Sequence, residues 1–231
     1  MSFTKRQVEK LFQYAAEIKN ETLENVDSSS ELEAFNLVLN IAEEFRKKHT
    51  DLGYYFDEIQ SDMLSILQSG LTGNYRLAIG GLRGVLELIC HVFYYCDHPL
   101  ERKIFIDNDE CATRYVSSLV QNESFFKTKY IKAFNANSKF EEVKTDAFAH
   151  LLVNEYKNLC DHVHGRTRSL TKIESQHISF DIKLYAALSK YYQNIVSILA
   201  MMFEFKFPGN EDVTKRVGSS PYLHPIIKRG R

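Results

Sequence analysis

Proline is confined to four positions, Pro99, Pro208, Pro221 and Pro225, which leaves 1–98 and 100–207 as two uninterrupted proline-free stretches. A proline inside a helix removes a hydrogen bond and clashes with the preceding turn, so long helices need such stretches, whereas loop-rich β proteins punctuate themselves with proline. The chain therefore reads as all-α. Hydrophobic periodicity agrees. Segment 31–48 sets Leu32, Phe35, Leu37, Val38, Leu39, Ile41, Ala42 and Phe45 on one broad face behind a run of three serines suited to capping. Segment 54–69 repeats the pattern with Tyr54, Tyr55, Phe56, Ile59, Met63, Ile66 and Leu67 and stops at Gly70. A third helix follows Gly73 through Ala78, Leu82, Val85, Leu86, Ile89, Val92 and Phe93 to Cys96, ended by Asp97-His98-Pro99.

Further helices are expected at the amino-terminal end, at 101–119, 122–136 and 139–163, and over 179–207, the longest and most apolar. No 30–45 residue unit recurs, which argues against a solenoid. The expectation is a single helical bundle of about seven to eight helices over 1–207, with a core at about 70–207 and the first helices packed on it. Residues 208–231 hold three of the four prolines, three of the ten glycines, and five Lys or Arg against two acids. They read as a basic tail, either mobile or docked through Tyr222, Leu223, Ile226 and Ile227.

Charge narrows the functional classes. With 29 basic and 30 acidic residues the formal net charge is −1, so no global field draws the chain to a polyanion, and any such site must be local. The longest strongly apolar run, 195–203, is nine residues against about 20 for a bilayer span. No secretory leader is legible at the start. The four cysteines, Cys90, Cys96, Cys111 and Cys160, suggest reduced thiols in a cytoplasm, with no membrane partner. Cys90, His91, Cys96 and His98 invite a zinc reading, as does Cys160-x-His162-x-His164, but the six-residue Cys90–Cys96 gap exceeds the two to four usual in structural zinc sites. No cofactor motif is present: Gly80-Gly81-x-x-Gly84 falls inside a helix instead of between strand and helix.

Two constellations carry candidate chemistry. On the third helix, Arg76, Gly80, Arg83, Gly84, Glu87 and Tyr94 share a stripe away from the Leu82/Val85/Ile89 face. Glycine inside a helix costs about 1 kcal/mol relative to alanine, so two of them on this stripe suggest a close approach. Either a neighbouring helix packs there while Arg83 and Glu87 form an i,i+4 pair, or the stripe floors a groove with a positioned arginine. The second constellation is Tyr156-Lys157-Asn158-Leu159-Cys160-Asp161-His162-Val163-His164-Gly165-Arg166, followed by Arg168. Cations at a helix C-terminus cap its carbonyls, and they also suit an anion or RNA phosphate, with histidine as a proton carrier near neutral pH.

The run YKNLCDHVHG after an R…GGLRGVLE helix resembles the HEPN superfamily, helical bundles whose motif is arginine, a polar residue often Asn, three others, then histidine. In one register Lys157-Asn158-x-x-x-His162 has the spacing, with lysine in place of arginine; in the other, His164-Gly165 matches the family's HG ending and Leu159 falls at the arginine position. Lysine lacks the planar fork that clamps phosphate. The resemblance implies a homodimer acting as a metal-independent endoribonuclease of a toxin or antiviral defence system, with an antitoxin or activating protein as partner. On it, His162, His164, Lys157 and Arg83 are the catalytic candidates. Arg76, Arg166, Arg168, Asn158 and Tyr156 would bind RNA phosphate, with Glu87 supporting. The alternative is a non-catalytic helical adaptor or dimerisation protein binding a protein or RNA partner.

Overall fold

The computed structural model describes residues 4–108, 115–134, 138–163 and 178–230. It is mostly helical. Among the described residues run α1 (Lys5–Asn25), α2 (Ser29–Lys48), a short 3-10 turn, α3 (Gly53–Leu71), α4 (Tyr75–Asp97), α5 (Pro99–Asp107), α6 (Val116–Asn122) and α7 (Thr128–Phe134). Strand β1 (Phe140–Glu142), α8 (Ala147–Val163), α9 (Ile182–Lys206), α10 (Glu211–Ser219) and strand β2 (Ile227–Arg229) complete the order. These ten α-helices among the described residues exceed the seven or eight expected, because the 101–119 segment, which reads as a single helix, is divided and the presumed tail supplies another.

The interior is organised around α4 and α9. Helix α4 packs against α3, α8, α9 and α5, while α9 also holds α2 and α10. Thirteen residues of α4 are buried, including Ile79, Leu82, Val85, Leu86, Ile89 and Phe93. It is long and apolar enough to cross a membrane, with mean hydropathy 1.4, yet 61% of that window is buried inside the protein. A central core helix meets the same length and composition criteria as a span. The turn into α4 depends on Gly73, whose φ of +78° suits glycine, and an added Cβ there would stand 2.6 Å from the Ser179 carbonyl oxygen. Gly70, expected to end α3, lies inside it instead, under Leu188.

Two helix boundaries differ from the periodicity for identifiable reasons. Within 122–136, Ser124 and Phe126 have positive φ, +55° and +51°. That conformation is costly for a side-chain-bearing residue; here it lets Phe125 and Phe126, both under 2% exposed, enter the core together. Within 139–163 the chain first forms β1, then turns at Asp146 (φ +57°) before α8 begins. The turn is held reciprocally: the Thr128 backbone N–H donates to Asp146 Oδ1 at 2.8 Å, and the Asp146 N–H donates to Thr128 Oγ1 at 2.7 Å. Glu142 Oε1 accepts from the Phe148 N–H at 2.8 Å, satisfying one of α8's open donors.

Of the two states left open for 208–231, the structure holds the docked one over 208–230. Asn210 caps α10 by accepting from the Val213 N–H at 3.1 Å. Val213, Val217 and Leu223 are buried, and β2 pairs antiparallel with β1, Phe140 opposite Arg229 and Glu142 opposite Ile227.

Buried polar groups tie these layers. Lys206 of α9 pairs with Asp97 of α4, which also accepts from the Tyr130 hydroxyl of α7. Glu155 of α8 accepts from Asn194 Nδ2 at 2.9 Å and Tyr222 Oη at 3.0 Å. Glu204, fully buried, accepts from the Thr214 hydroxyl at 3.0 Å, while its Oε1 has no partner among the described residues. Burial raises the Glu204 pKa, with the Thr214 hydrogen bond opposing. A carboxyl raised in the folded state contributes stability that is full below its unfolded pKa and lost as pH rises through the folded value. Glu204→Gln removes that dependence: in urea melts across pH 4–8, the variant's stability relative to the parent is expected to increase with pH.

Candidate functional site

Helix α4 is covered on most sides but not along the stripe carrying Gly80 and Gly84. A Cβ on Gly81 would come within 2.8 Å of Ile66 Cγ1 on α3, so Gly81 is the glycine that permits close helix packing. Gly80 is different: a Cβ there would meet only Val163 of α8, at an ordinary 3.6 Å, and one on Gly84 would meet nothing within 4 Å. The result is an open groove of about 590 Å³ between α4 and the end of α8, lined by Asn74, Arg76, Leu77, Arg83, His162 and Val163 besides the glycines.

Arg83 is held firmly at the groove. Its Nη2 donates to Glu87 Oε1 at 2.8 Å and to the Tyr156 hydroxyl at 3.0 Å, and that hydroxyl donates in turn to Glu87 Oε1 at 2.7 Å. The guanidinium also lies 5.4 Å from the Tyr156 ring centroid, a cation–π contact. The i,i+4 pair read from sequence is thus present, with a third member from α8. Burial pushes the Tyr156 phenol up, so it stays protonated and available as a donor. Arg83 Nε is buried without a partner among the described residues.

His162 reaches the same groove from the last turn of α8. Its Nε2 lies 3.4 Å from the Tyr191 hydroxyl of α9, with the two rings edge to face at 5.5 Å. Arg76 lies exposed at the groove rim beside Leu77. The structure therefore brings Arg76, Arg83 and His162 to one groove, with Glu87 and Tyr156 behind Arg83. Lys157 and Asn158 are exposed on α8 and are not among the groove's lining residues. His164, Arg166 and Arg168 lie outside the described residues.

Tyr94, placed on the stripe by helical angle, is a core residue: it is 1% exposed, donates to Glu101 at 2.8 Å and stacks on His98 at 3.9 Å. A stripe drawn along a helix turns under its neighbours as the helix advances; by Tyr94 it has passed beneath α5 and the residues that follow. Tyr191 reads from sequence only as half of a Tyr191-Tyr192 pair with one ring inward and one outward; the α8–α9 packing reveals that it faces His162. Cys90 is buried, and burial pushes its thiol above the ordinary range. Among the described residues no three His, Cys, Asp or Glu side chains cluster as metal ligands.

The two glycine environments predict opposite outcomes. Gly84→Ala is expected to stabilise the fold by about 0.5–1 kcal/mol through helix propensity, whereas Gly81→Ala is expected to cost roughly 1 kcal/mol net as Ile66 is displaced. Urea denaturation of the two variants measures both signs. The chain matches no protein-family model, no curated protein and no solved structure.

Proposed function

We propose that the protein is a HEPN-like helical bundle that binds RNA in the α4–α8 groove and cleaves it without a metal ion, acting as a cytoplasmic homodimer of a toxin or defence system. The observation that carries this reading is the meeting of Arg76, Arg83 and His162 at one open groove. Arginine supplies planar, bidentate donors for phosphate. Histidine supplies a group able to exchange protons near neutral pH. Leu77 and Val163 offer an apolar wall against which a base or ribose can rest while the rim holds phosphate. Lys157 and Asn158 drop out of the groove, so phosphate contact falls to Arg76 and Arg83, and Glu87 with Tyr156 fixes the Arg83 fork in place. His164, Arg166 and Arg168 follow directly on α8 in the chain and remain candidates beside them.

A second reading, the non-catalytic adaptor, is favoured by one specific observation. The Arg83 charge is already matched by Glu87 at 2.8 Å, so a ligand phosphate must compete with a carboxylate, whereas an adaptor needs the trio only as a structural lock.

Incubation of the purified protein with total RNA in EDTA separates the two. Cleavage is expected in the parent, lost in the His162→Ala/His164→Ala double variant, and reduced at least tenfold in Gly84→Leu, which places a side chain in the groove without replacing a charged residue. Absence of cleavage by the parent, or cleavage unchanged in all variants, overturns the nuclease assignment and leaves the adaptor.

A further inference from the structure

A second cavity, separate from the α4–α8 groove, lies where the carboxy-terminal segment crosses α9. It measures about 580 Å³ and is lined by Lys190, Gln193, Asn194 and Ser197 of α9, and by Arg216, Ser219, Ser220, Pro221, Tyr222 and Pro225 from α10 and the turn after it. That size suits a small organic molecule.

Arg216 is its unusual member. Its Nη2 donates to the Gln193 carbonyl at 2.9 Å, to Gln193 Oε1 at 2.6 Å and to Ser197 Oγ at 3.2 Å. All three acceptors are neutral. No carboxylate forms an ion pair with Arg216 among the described residues, and its Nε is buried with no partner among them. Ser197 and Ser220, both nearly inaccessible, are bonded to one another at 3.0 Å and help hold the guanidinium in place. Arg216 is half-buried, and even partial burial of a cation without a counter-ion is costly, a cost proteins ordinarily meet with an acid. Burial lowers the Arg216 pKa, opposed only by the more distant charge of Glu33.

Glu155, which bonds two of the lining residues, is already committed. Both of its oxygens accept from cavity-lining residues, Asn194 and Tyr222, and it forms no ion pair with Arg216 among the described residues. Lys190 adds an exposed second cation at the cavity mouth. The lining also includes Pro221, Tyr222 and Pro225. The cavity therefore offers both cationic and apolar groups to an occupant.

We propose that this cavity binds a small carboxylate with an apolar body, its acid group completing the ion pair of Arg216 with help from Lys190 and its body lying against Pro221, Tyr222 and Pro225. Binding joins α9 to the carboxy-terminal segment, so the ligand stabilises the docked state of α10 and the turn that follows it.

Phenylbutyrate is the probe, with phenylbutanol as the uncharged counterpart and acetate as the acid lacking a body. Calorimetric titration of the full chain is expected to give one saturable site for phenylbutyrate, with both controls at least tenfold weaker. Lys190→Gln, on the surface, is expected to weaken phenylbutyrate severalfold. Arg216→Gln is expected to abolish it, and circular dichroism establishes whether that variant is folded. Ser219→Glu, also exposed, places a competing carboxylate at the cavity and is expected to weaken binding at least tenfold without relying on the Arg216 variant. No saturable binding of phenylbutyrate, equal binding of phenylbutanol, or binding indifferent to both Lys190→Gln and Ser219→Glu overturns the proposal. None of these outcomes depends on RNA cleavage.

Discussion

An apolar helix of 23 residues must be covered, and covering α4 organises much of this protein. Helices α3, α8, α9 and α5 pack on it from different directions, and each approach sets a local requirement. The α3 side requires Gly81, where Ile66 leaves no room for a methyl group. The α9 side brings Lys206 to Asp97, where Tyr130 joins the pair. The groove is what remains: the stretch of α4 around Gly84 where no neighbour arrives, with Arg83 held beside it by Glu87 and Tyr156. Site and core are thus two aspects of one helix, and their boundary falls between residues three positions apart.

Much of the helical framework was legible because it rests on local rules. The proline-free stretches and the three-and-four spacing placed α2, α3, α4 and α9 close to their observed bounds, and His98-Pro99 ended α4 as a proline should. The misjudged parts depend on distant partners. Strand β1 reads locally as the start of a helix because its pairing strand lies at 227–229, beyond the reach of any periodicity window. The break at 124–126 is supported by burial of Phe125 and Phe126, a tertiary gain that overrides local backbone preference.

The site divides in the same way. Arg83 with Glu87 follows from i,i+4 geometry on a single helix, and it is present. Tyr156 reads from sequence as a phosphate-binding candidate, but its position behind Arg83 depends on the α4–α8 packing. The spacing of Lys157 and His162 says that they share a helix, not that they share a face; five residues turn a helix by about 500°, leaving roughly 140° between them. Tyr191 and Arg216 carried no motif at all. Their surroundings come from α9 meeting α8 and α10, and composition gave Arg216 only as one of five basic residues in a tail.

The carboxy-terminal segment has a consequence for the order in which the molecule can be made. Phe140 is paired with Arg229, and Glu155 accepts from Tyr222, so both wait during synthesis for residues far downstream. At ribosomal rates of about 5–20 residues per second, that interval is on the order of ten seconds. Throughout it, β1 is an unpaired edge and Glu155 lacks at least one of its two donors. Two of the three β1 residues, Glu141 and Glu142, are charged, and charged edges resist pairing with other chains. The same glutamates that read poorly as a buried strand suit one that must remain soluble while its partner is still being translated.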